Sequence, residues 1–285
     1  MEINSICVCG AGTMGGGIAQ VAAQAGIPTI LYELNPVVLE NAQKTLQKSL
    51  DGLVQKQKMD AAGAGAVLQR IRFTSELQDC LADFFIEAII ERADIKIALL
   101  NQLAEINHRE CVFATNTSSL SVQSIAEKVI NPERVIGMHF FNPPVIMKLV
   151  EVVMTSHTNV STREITVALA RQMGKTAVIC KDSPGFIVNR IARPYYIEAL
   201  RMAESGYSDL ATIDAAMESS GFKMGPFKLM DLIGNDVNFA VSNQIYEQLD
   251  NAERLRPSPL QEEKVKAGKL GRKTGEGYYI YEKKN

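Results

Sequence analysis

The sequence predicts an α/β domain followed by an all-α domain, and three observations support this. Its 285 residues are nearly twice the roughly 150 of a typical domain. Short apolar segments alternate with helix-periodic segments as far as Asp182, which is typical of a mostly parallel sheet covered on both faces. From Gly185 onward we find only helical periodicity until the last residues. We therefore expect domains at residues 1–184 and 185–285.

The predicted strands of the first domain are short apolar segments, several of them rich in β-branched residues. They lie at residues 3–9, 29–32, 83–86, 111–114, 135–138 and 176–179. Helical periodicity appears at 17–25, 94–107, 121–130 and 162–173, and residues 61–66 are predicted to be a loop that leads into a helix. Asn35 followed by Pro36 is typical of a helix start. After it, apolar residues repeat every three to four positions on one helical face, at Leu39, Ala42, Leu46, Leu50 and Leu53.

The second domain is predicted to contain helices at 187–203, 209–217 and 229–249. The glycines and tyrosines of residues 271–281 indicate a closing loop.

The composition excludes several classes of partner. The 30 basic and 32 acidic residues give a net charge of −2, which argues against a nucleic acid or a polybasic membrane contact. No apolar segment approaches the ~20 residues of a spanning helix, and the first residues lack a basic leader, so we expect a cytoplasmic protein. The five scattered cysteines predict buried thiols, with neither a disulfide framework nor a metal site.

Residues 10–15, here called the phosphate-binding turn, have the pattern Gly-x-Gly-x-x-Gly between a predicted strand and a helix. Gly10 permits the tight turn, Gly12 lets a pyrophosphate approach the backbone, and Gly15 lets the helix pack on the strand. The helix N-terminus offers N–H groups to an anion. Gly10, Gly12, Thr13, Met14 and Gly15 are therefore the expected cofactor-binding residues of a Rossmann-type domain, unless the turn is purely structural.

Glu33 ends the second predicted strand, where a carboxylate can accept both ribose hydroxyl groups of a dinucleotide. The same charge repels a 2′-phosphate, and no Arg or Lys lies between Glu33 and Glu40. We therefore expect NAD rather than NADP, while FAD stays an alternative on this motif alone.

His139 is the best candidate for a general base among three histidines. Histidine titrates near neutral pH, as oxidation of an alcohol by hydride transfer requires. His108 and His157 lie in polar segments and are expected to be solvated. His139 follows a predicted strand, and ligands bind at the carboxyl ends of parallel strands. The alternative is a core histidine whose hydrogen bonds are made to the backbone.

Two other polar features could belong to the same site. Residues 115–119 follow a predicted strand, although they could instead cap the next helix. Glu151 interrupts an apolar segment, and a buried carboxylate needs a partner. It could pair with His139 and orient the ring, or it could point to water from an edge strand.

Taken together, these motifs resemble the L-3-hydroxyacyl-CoA dehydrogenases, in particular the short bacterial 3-hydroxybutyryl-CoA dehydrogenases. The resemblance covers nearly the whole chain. It is carried by residues 10–15, Glu91 with Lys96, 115–120, 137–143, 147–151, 184–190, 224–226 with Asp231, and 271–275. The segments His-Phe-Phe-Asn-Pro at 139–143 and Pro-Gly-Phe-Ile-Val-Asn-Arg at 184–190 are highly specific.

The resemblance implies a set of catalytic roles. His139 would be the base in oxidation and the acid in reduction, and Glu151 would orient it. Ser118, with Ser119 as the alternate, would bind the substrate hydroxyl or keto oxygen. Asn189 would help to position the substrate in a cleft between the domains.

The resemblance also implies contacts to the cofactor and to CoA. Glu91 and Asn116 would lie on the nicotinamide side, Lys96 near the cofactor, and Asn142 near the cleft. Residues 37–58 resemble a helical arm that contacts CoA. Lys56 matches one of two lysines found there in relatives, but Gly52 replaces the other. Lys56 could bind a CoA phosphate, with Lys48 and Lys58 compensating, or it could simply be solvated.

The implied reaction is the NAD-dependent interconversion of (S)-3-hydroxybutyryl-CoA, or a related short-chain thioester, and acetoacetyl-CoA. It would belong to fatty acid or butanoate metabolism, without a fused hydratase domain, in a homodimer or larger homo-oligomer that assembles through the helical domain. Two other readings are a non-catalytic binding protein and a dehydrogenase of the hydroxyisobutyrate and phosphogluconate type. The latter class uses a lysine base, and the pairing of His139 with Glu151 speaks against it.

Overall fold

The computed structural model describes residues 3–282. The chain forms two compact units, the first ending at Ser183 and the second beginning at Pro184. The first unit contains an eight-stranded sheet with the strand order β3-β2-β1-β4-β5-β6-β7-β8. The strands are β1 (Ile6–Cys9), β2 (Thr29–Tyr32), β3 (Ile71–Thr74), β4 (Phe84–Glu87), β5 (Val112–Thr115), β6 (Val135–Phe140), β7 (Leu149–Met154) and β8 (Thr176–Lys181).

The sheet is parallel except where β6 meets β7, which are antiparallel. This confirms the predicted mostly parallel sheet and the Rossmann-type class. The single reversal has a geometric consequence. The carboxyl ends of β1, β4, β5 and β6 lie at one edge of the sheet, and the beginnings of β7 and β8 lie at that same edge. We call it the site edge.

Helices cover both faces of the sheet. The first unit contains α1 (Thr13–Gln24), α2 (Pro36–Gln55), α3 (Ala61–Gln69), α4 (Ala93–Ile106), α5 (Val122–Ala126) and α6 (Val160–Gln172). Ile6 and Val8 of β1 belong to the core shared with α1, α2, α3 and α6, whereas Cys7 and Cys9 belong to the core shared with α4 and α5. The alternation of side chains along one strand therefore builds two cores. Each fully buried leucine, such as Leu50, contributes about 1.5–3 kcal/mol.

Several element boundaries differ from the predicted ones. Helix α1 begins at Thr13 instead of residue 17, because glycines at its start conceal the helical period. Strands β3 and β7 were not among the predicted strands. Residues 61–66, predicted to be a loop that leads into a helix, lie entirely within α3. Asn35 caps α2 as predicted, since its side chain accepts a hydrogen bond from the amide of Val37.

The second unit is helical, as predicted. It contains α7 (Val188–Glu204), α8 (Leu210–Ser219), α9 (Pro226–Ile233), α10 (Asn235–Gln248) and α11 (Pro259–Lys266). The predicted helix at 229–249 is divided because Gly234 has φ +104°, a left-handed conformation that ends α9. Helix α11 was missed because its polar sequence has no apolar period.

The closing loop is fixed by a buried carboxylate. Asp231 is 1% exposed and accepts hydrogen bonds from the amides of Tyr278 and Tyr279 and from the hydroxyl of Tyr281. Asn235 donates a fourth hydrogen bond. Four donors compensate for removing one carboxylate from water, so this loop is an integral part of the unit.

The cysteines are free thiols, four of them buried and Cys180 half-buried. In the part of the chain that the structure describes, no group of His, Cys, Asp and Glu is arranged to hold a metal ion. Among residues 3–282, no helix is long and apolar enough to cross a membrane.

Candidate active site

The phosphate-binding turn connects the end of β1 to α1 at the site edge. Gly10 has φ +100°, and a Cβ there would lie 2.7 Å from the carbonyl oxygen of Ala88. A Cβ on Gly15 would lie 1.8 Å from the carbonyl oxygen of Gly10, so the helix packs against the turn with no space for a side chain. A Cβ on Gly12 would meet nothing within 4 Å. The first and third glycines therefore serve packing, while the second leaves an open approach to the backbone.

The start of α1 suits an anion. Gly12 is the N-cap residue and has no side chain to cap the first amides, and the first turn contains no acidic residue. The amide groups and the positive end of the helix dipole are thus available to a phosphate. Thr13 is exposed beside this approach, and Met14 packs partly into the core.

Glu33 follows β2 and reaches back to the phosphate-binding turn. Its two carboxylate oxygens accept hydrogen bonds from the amides of Ala11, at 3.0 Å, and Asn35, at 3.1 Å. Each oxygen retains acceptor capacity for a ribose hydroxyl, because a carboxylate oxygen has two lone pairs. The open backbone at Gly12 and this carboxylate together fit the diphosphate and the adenosine ribose of NAD.

His139 and Glu151 form a buried pair at the site edge. They are direct register partners in the antiparallel pair β6–β7, so both side chains project from the same face. The distance from His139 Nδ1 to Glu151 Oε2 is 2.8 Å, and the side chains are 7% and 1% exposed. Strand β7 lies between β6 and β8, so the alternative of an edge strand that points Glu151 to water is wrong.

This geometry assigns the protons on the imidazole. A carboxylate can only accept, so Nδ1 carries the hydrogen in the neutral ring and Nε2 is the basic nitrogen. The side chain of Phe141 packs against the ring with a centroid separation of 4.6 Å. His108 and His157 have side chains 51% and 40% exposed, in agreement with their predicted solvation.

The end of β5 is tied to the end of β6 by Asn116. Its side-chain oxygen accepts a hydrogen bond of 2.8 Å from the amide of Phe140, the residue after His139. The amide of Asn116 donates to the carbonyl oxygen of Glu87 at the end of β4. Asn116 therefore connects three neighbouring strands at the site edge.

A cluster of three charged side chains lies at the site edge near the end of β4. One of them, Glu87, was not among the predicted site residues. Lys96 Nζ is 2.6 Å from Glu87 Oε1 and 3.1 Å from Glu91 Oε2. Glu87 and Lys96 are 0% and 1% exposed, whereas Glu91 is 38% exposed. Glu87 also accepts from the hydroxyl of Thr115 at 2.7 Å. The only sequence signal for Glu87 is an acid at the end of an apolar strand, nine residues before a lysine.

The two glutamates of this cluster respond differently to their surroundings. Burial raises the pKa of Glu87 in spite of its contact with Lys96. Burial also opposes ionisation of Glu91, but the charge of Lys96 and hydrogen bonds from the hydroxyls of Thr117 and Ser119 outweigh it and lower the pKa of Glu91. Glu91 is therefore a stable, partly exposed negative charge at the site edge.

Glu91 organises the turn after β5 that carries the two candidate serines. It accepts a hydrogen bond from the amide of Ser118 at 3.1 Å and from the hydroxyl of Ser119 at 2.9 Å. The hydroxyl of Ser119 is thus committed to Glu91, but that of Ser118 is not. Ser121, rather than residues 115–119, caps α5, so the alternative in which the earlier residues cap that helix is wrong.

Family models match the chain over both units. The NAD binding domain of 3-hydroxyacyl-CoA dehydrogenase matches residues 5–183, and the C-terminal domain of 3-hydroxyacyl-CoA dehydrogenase matches residues 185–281. The chain belongs to the 3-hydroxyacyl-CoA dehydrogenase family. The resemblance proposed from the sequence is thereby confirmed, and with it an NAD-binding first domain in an oxidoreductase of this family.

Similarity over nearly the whole of this chain extends to individual family members. The chain is 42% identical to 3-hydroxyadipyl-CoA dehydrogenase of Escherichia coli over 98% of its own length, but it spans only 59% of that protein. It is 41% identical to the "Probable 3-hydroxybutyryl-CoA dehydrogenase" of Deinococcus radiodurans, covering 96% of this chain and 99% of the relative. The crystal structure of (S)-3-hydroxybutyryl-CoA dehydrogenase from Ralstonia eutropha superposes with a TM-score of 0.94 at 37% identity, covering 99% and 100% of the two chains.

Of the remaining predicted residues of this family member, Lys56 and Asn189 lie far from His139 and Glu151 along the chain, whereas Asn142 follows His139 by three residues. Lys56 follows the end of α2 and is exposed, as are Lys48 and Lys58. Asn189 lies in the first turn of α7, in the second unit, where its carbonyl oxygen accepts a hydrogen bond from Arg193. Asn142 is exposed in the β6–β7 loop, residues 141–148, two residues after β6 ends.

Proposed function

We propose that this chain catalyses the NAD-dependent interconversion of (S)-3-hydroxybutyryl-CoA, or a related short-chain 3-hydroxyacyl-CoA, and acetoacetyl-CoA. The observation that carries the proposal is the buried hydrogen bond between His139 and Glu151, located at the same sheet edge as the phosphate-binding turn. An oriented base beside a dinucleotide site is the arrangement that oxidation of a secondary alcohol requires. The names of the full-length relatives support a short-chain CoA thioester.

The cofactor end of the site is proposed to consist of the phosphate-binding turn and Glu33. The first amides of α1 would hold the diphosphate, and Glu33 would accept the ribose hydroxyls. Bound NAD supplies the acceptor for the hydride that leaves C3 of the hydroxyacyl group. Glu91, Asn116, Asn142 and Lys96 belong to the nicotinamide side in this proposal. Because Lys96 is enclosed by Glu87 and Glu91, we assign it an indirect part through the charge of Glu91.

His139 is proposed to move the hydroxyl proton. In oxidation, Nε2 removes the proton from the C3 hydroxyl group, and the oxygen becomes a carbonyl as the C3–H bond breaks. Glu151 holds the hydrogen on Nδ1 and stabilises the imidazolium that results. In the reverse direction, the imidazolium donates this proton to the oxygen. Each oxidation leaves one proton on His139, which passes to water before the next turnover, and each reduction consumes one proton that water resupplies.

Ser118 is proposed to bind the reacting oxygen. Its amide is fixed by Glu91 and its hydroxyl is not committed to that carboxylate, whereas the hydroxyl of Ser119 is. Asn189 is proposed to help position the substrate, and Lys56 to contact a CoA phosphate. A homodimer or larger homo-oligomer formed through the helical unit stays a prediction that follows from the family resemblance, and a cytoplasmic location stays a prediction from the sequence.

The proposal is tested by following NADH absorbance with acetoacetyl-CoA. We expect NADH oxidation with the thioester, little with free acetoacetate, and a marked preference for NADH over NADPH because Glu33 repels a 2′-phosphate. Free 3-hydroxyisobutyrate with NAD is the control for dehydrogenases that use a lysine base. Turnover of the free hydroxy acid with none of the thioester would refute the proposed substrate class.

A pair of serine variants separates the two candidate hydroxyls. Ser118→Ala is expected to lower kcat by about 10- to 100-fold, since it removes one hydrogen bond to an oxygen that gains charge in the transition state. Ser119→Ala instead removes a hydroxyl that donates a hydrogen bond to Glu91, and it should have a smaller effect on kcat. Steady-state kinetics with acetoacetyl-CoA measures both variants. A larger loss in Ser119→Ala would reverse the assignment of the two serines.

A further inference from the structure

Lys175 is a buried cation that the mechanism above does not use. It lies between α6 and β8 at the site edge and is 9% exposed. Its Nζ donates to the carbonyl oxygens of Pro144 and Met147, the latter at 2.9 Å. In the part of the chain that the structure describes, no carboxylate forms an ion pair with it, and burial lowers the pKa of Lys175. Burying the ammonium group of a lysine without a carboxylate partner is costly, so its position between two carbonyl oxygens needs a structural explanation.

Both carbonyl groups belong to the β6–β7 loop. The loop folds back on itself, since the amides of Ile146 and Met147 both donate to the carbonyl oxygen of Pro143 at 3.0 Å. Pro144 is buried, and a Cβ added to Gly17 of α1 would lie 3.0 Å from its ring. The loop is therefore held on one side by Lys175 and on the other by the helix that follows the phosphate-binding turn.

The beginning of this loop lies next to the proposed base. Phe141 packs against the ring of His139, and Asn142 is the next residue. The amide of Thr176, directly after Lys175, donates to the carbonyl oxygen of Lys148 at the end of the loop. Lys175 is thus placed to set the path of the whole connection between His139 on β6 and Glu151 on β7.

We propose that Lys175 is a positioning residue of the active site, which fixes the β6–β7 loop against α1 and so places Phe141 and Asn142 beside His139. The effect on activity rests on the proposed function, but the effect on the loop does not. An ammonium group with three donors can hold two carbonyl oxygens at once, which an apolar side chain of the same length cannot do.

The test compares Lys175→Met with Lys175→Arg and with Lys181→Met. Methionine keeps an unbranched apolar stem but removes the ammonium group and both hydrogen bonds, while arginine keeps the charge and several donors. Lys181 is exposed at the other end of β8 and serves as the matched control. Amide hydrogen exchange is measured across residues 145–148 and across the rest of the first unit, together with kcat and KM for acetoacetyl-CoA and the Kd of NADH.

For Lys175→Met we expect faster exchange at Ile146 and Met147, with the strands of the sheet unchanged. We also expect kcat/KM to fall about 10- to 100-fold, because misplaced groups around a reacting centre slow the reaction by about this factor. Lys175→Arg should restore most of the loop protection, and Lys181→Met should match the wild type. The proposal would be overturned if the loop of a folded Lys175→Met protein exchanged its amide hydrogens at the wild-type rate. It would also be overturned if exchange became faster evenly over the whole first unit. If the wild type fails to reduce acetoacetyl-CoA, the proposed function falls while the exchange data still decide the role of Lys175 in the loop.

Discussion

His139→Ala should lower kcat for acetoacetyl-CoA reduction by about 10²- to 10⁴-fold, while the Kd of NADH stays close to that of the wild type. The expected loss is that of a positioned general acid or base. NADH binding should survive because the phosphate-binding turn joins β1 to α1 and Glu33 follows β2, and β1 and β2 are separated from β6 by β4 and β5. Stopped-flow or steady-state absorbance gives kcat, and fluorescence titration of NADH gives Kd.

The control for this variant is His157→Ala, which removes an exposed histidine from the same unit. We expect the wild-type kcat from it. A His139→Ala enzyme with the wild-type kcat would eliminate His139 as the base. Loss of NADH binding in parallel with activity would instead show that His139 supports the fold of the site. His139→Ala removes the imidazole that hydrogen-bonds to the buried Glu151, and breaking a buried pair in this way destabilises proteins strongly.

The parts of the fold that the sequence predicted are those with local signals. Gly10 and Gly15 of the phosphate-binding turn meet the packing requirements predicted for them, and Asn35 with Pro36 begins a helix as expected. Strand β7 was missed because the buried Glu151 interrupts its apolar sequence. His139 on the neighbouring strand, twelve residues earlier, hydrogen-bonds to this carboxylate, and the sequence offered that contact only as one of two alternatives.

Two other charged residues at the site edge make contacts that could not be predicted from the sequence. Glu87 and Lys175 are buried charges whose partners come from other elements: Lys96 and Thr115 for the first, and the β6–β7 loop for the second. A sequence motif records spacing along the chain, whereas these contacts depend on strand order and on the reversal at β7. Glu91 and Lys96 were named only through the family resemblance, and the structure adds Glu87 as the group that binds Lys96 most closely.

Gly12→Val should abolish useful NADH binding in a protein that still folds, raising Kd by at least about 100-fold. Gly12 has φ −68° and ψ −173°, an extended conformation that valine adopts readily, and a Cβ there meets nothing within 4 Å. The added methyl groups would occupy the open approach to the first amides of α1. Loss of two hydrogen bonds from those amides to a charged diphosphate, each contributing about 1.5–3 kcal/mol, accounts for the expected factor.

Gly15→Val is the matched contrast at the same turn, because a Cβ at Gly15 would lie 1.8 Å from the carbonyl oxygen of Gly10. That variant should lower the thermal unfolding midpoint of the protein as well as NADH affinity, whereas Gly12→Val should keep a midpoint near that of the wild type. Calorimetry or circular dichroism and fluorescence titration distinguish the two effects. If Gly12→Val binds NADH like the wild type, the diphosphate does not approach the backbone at Gly12, and the proposed cofactor position is wrong even though the turn itself is correctly described.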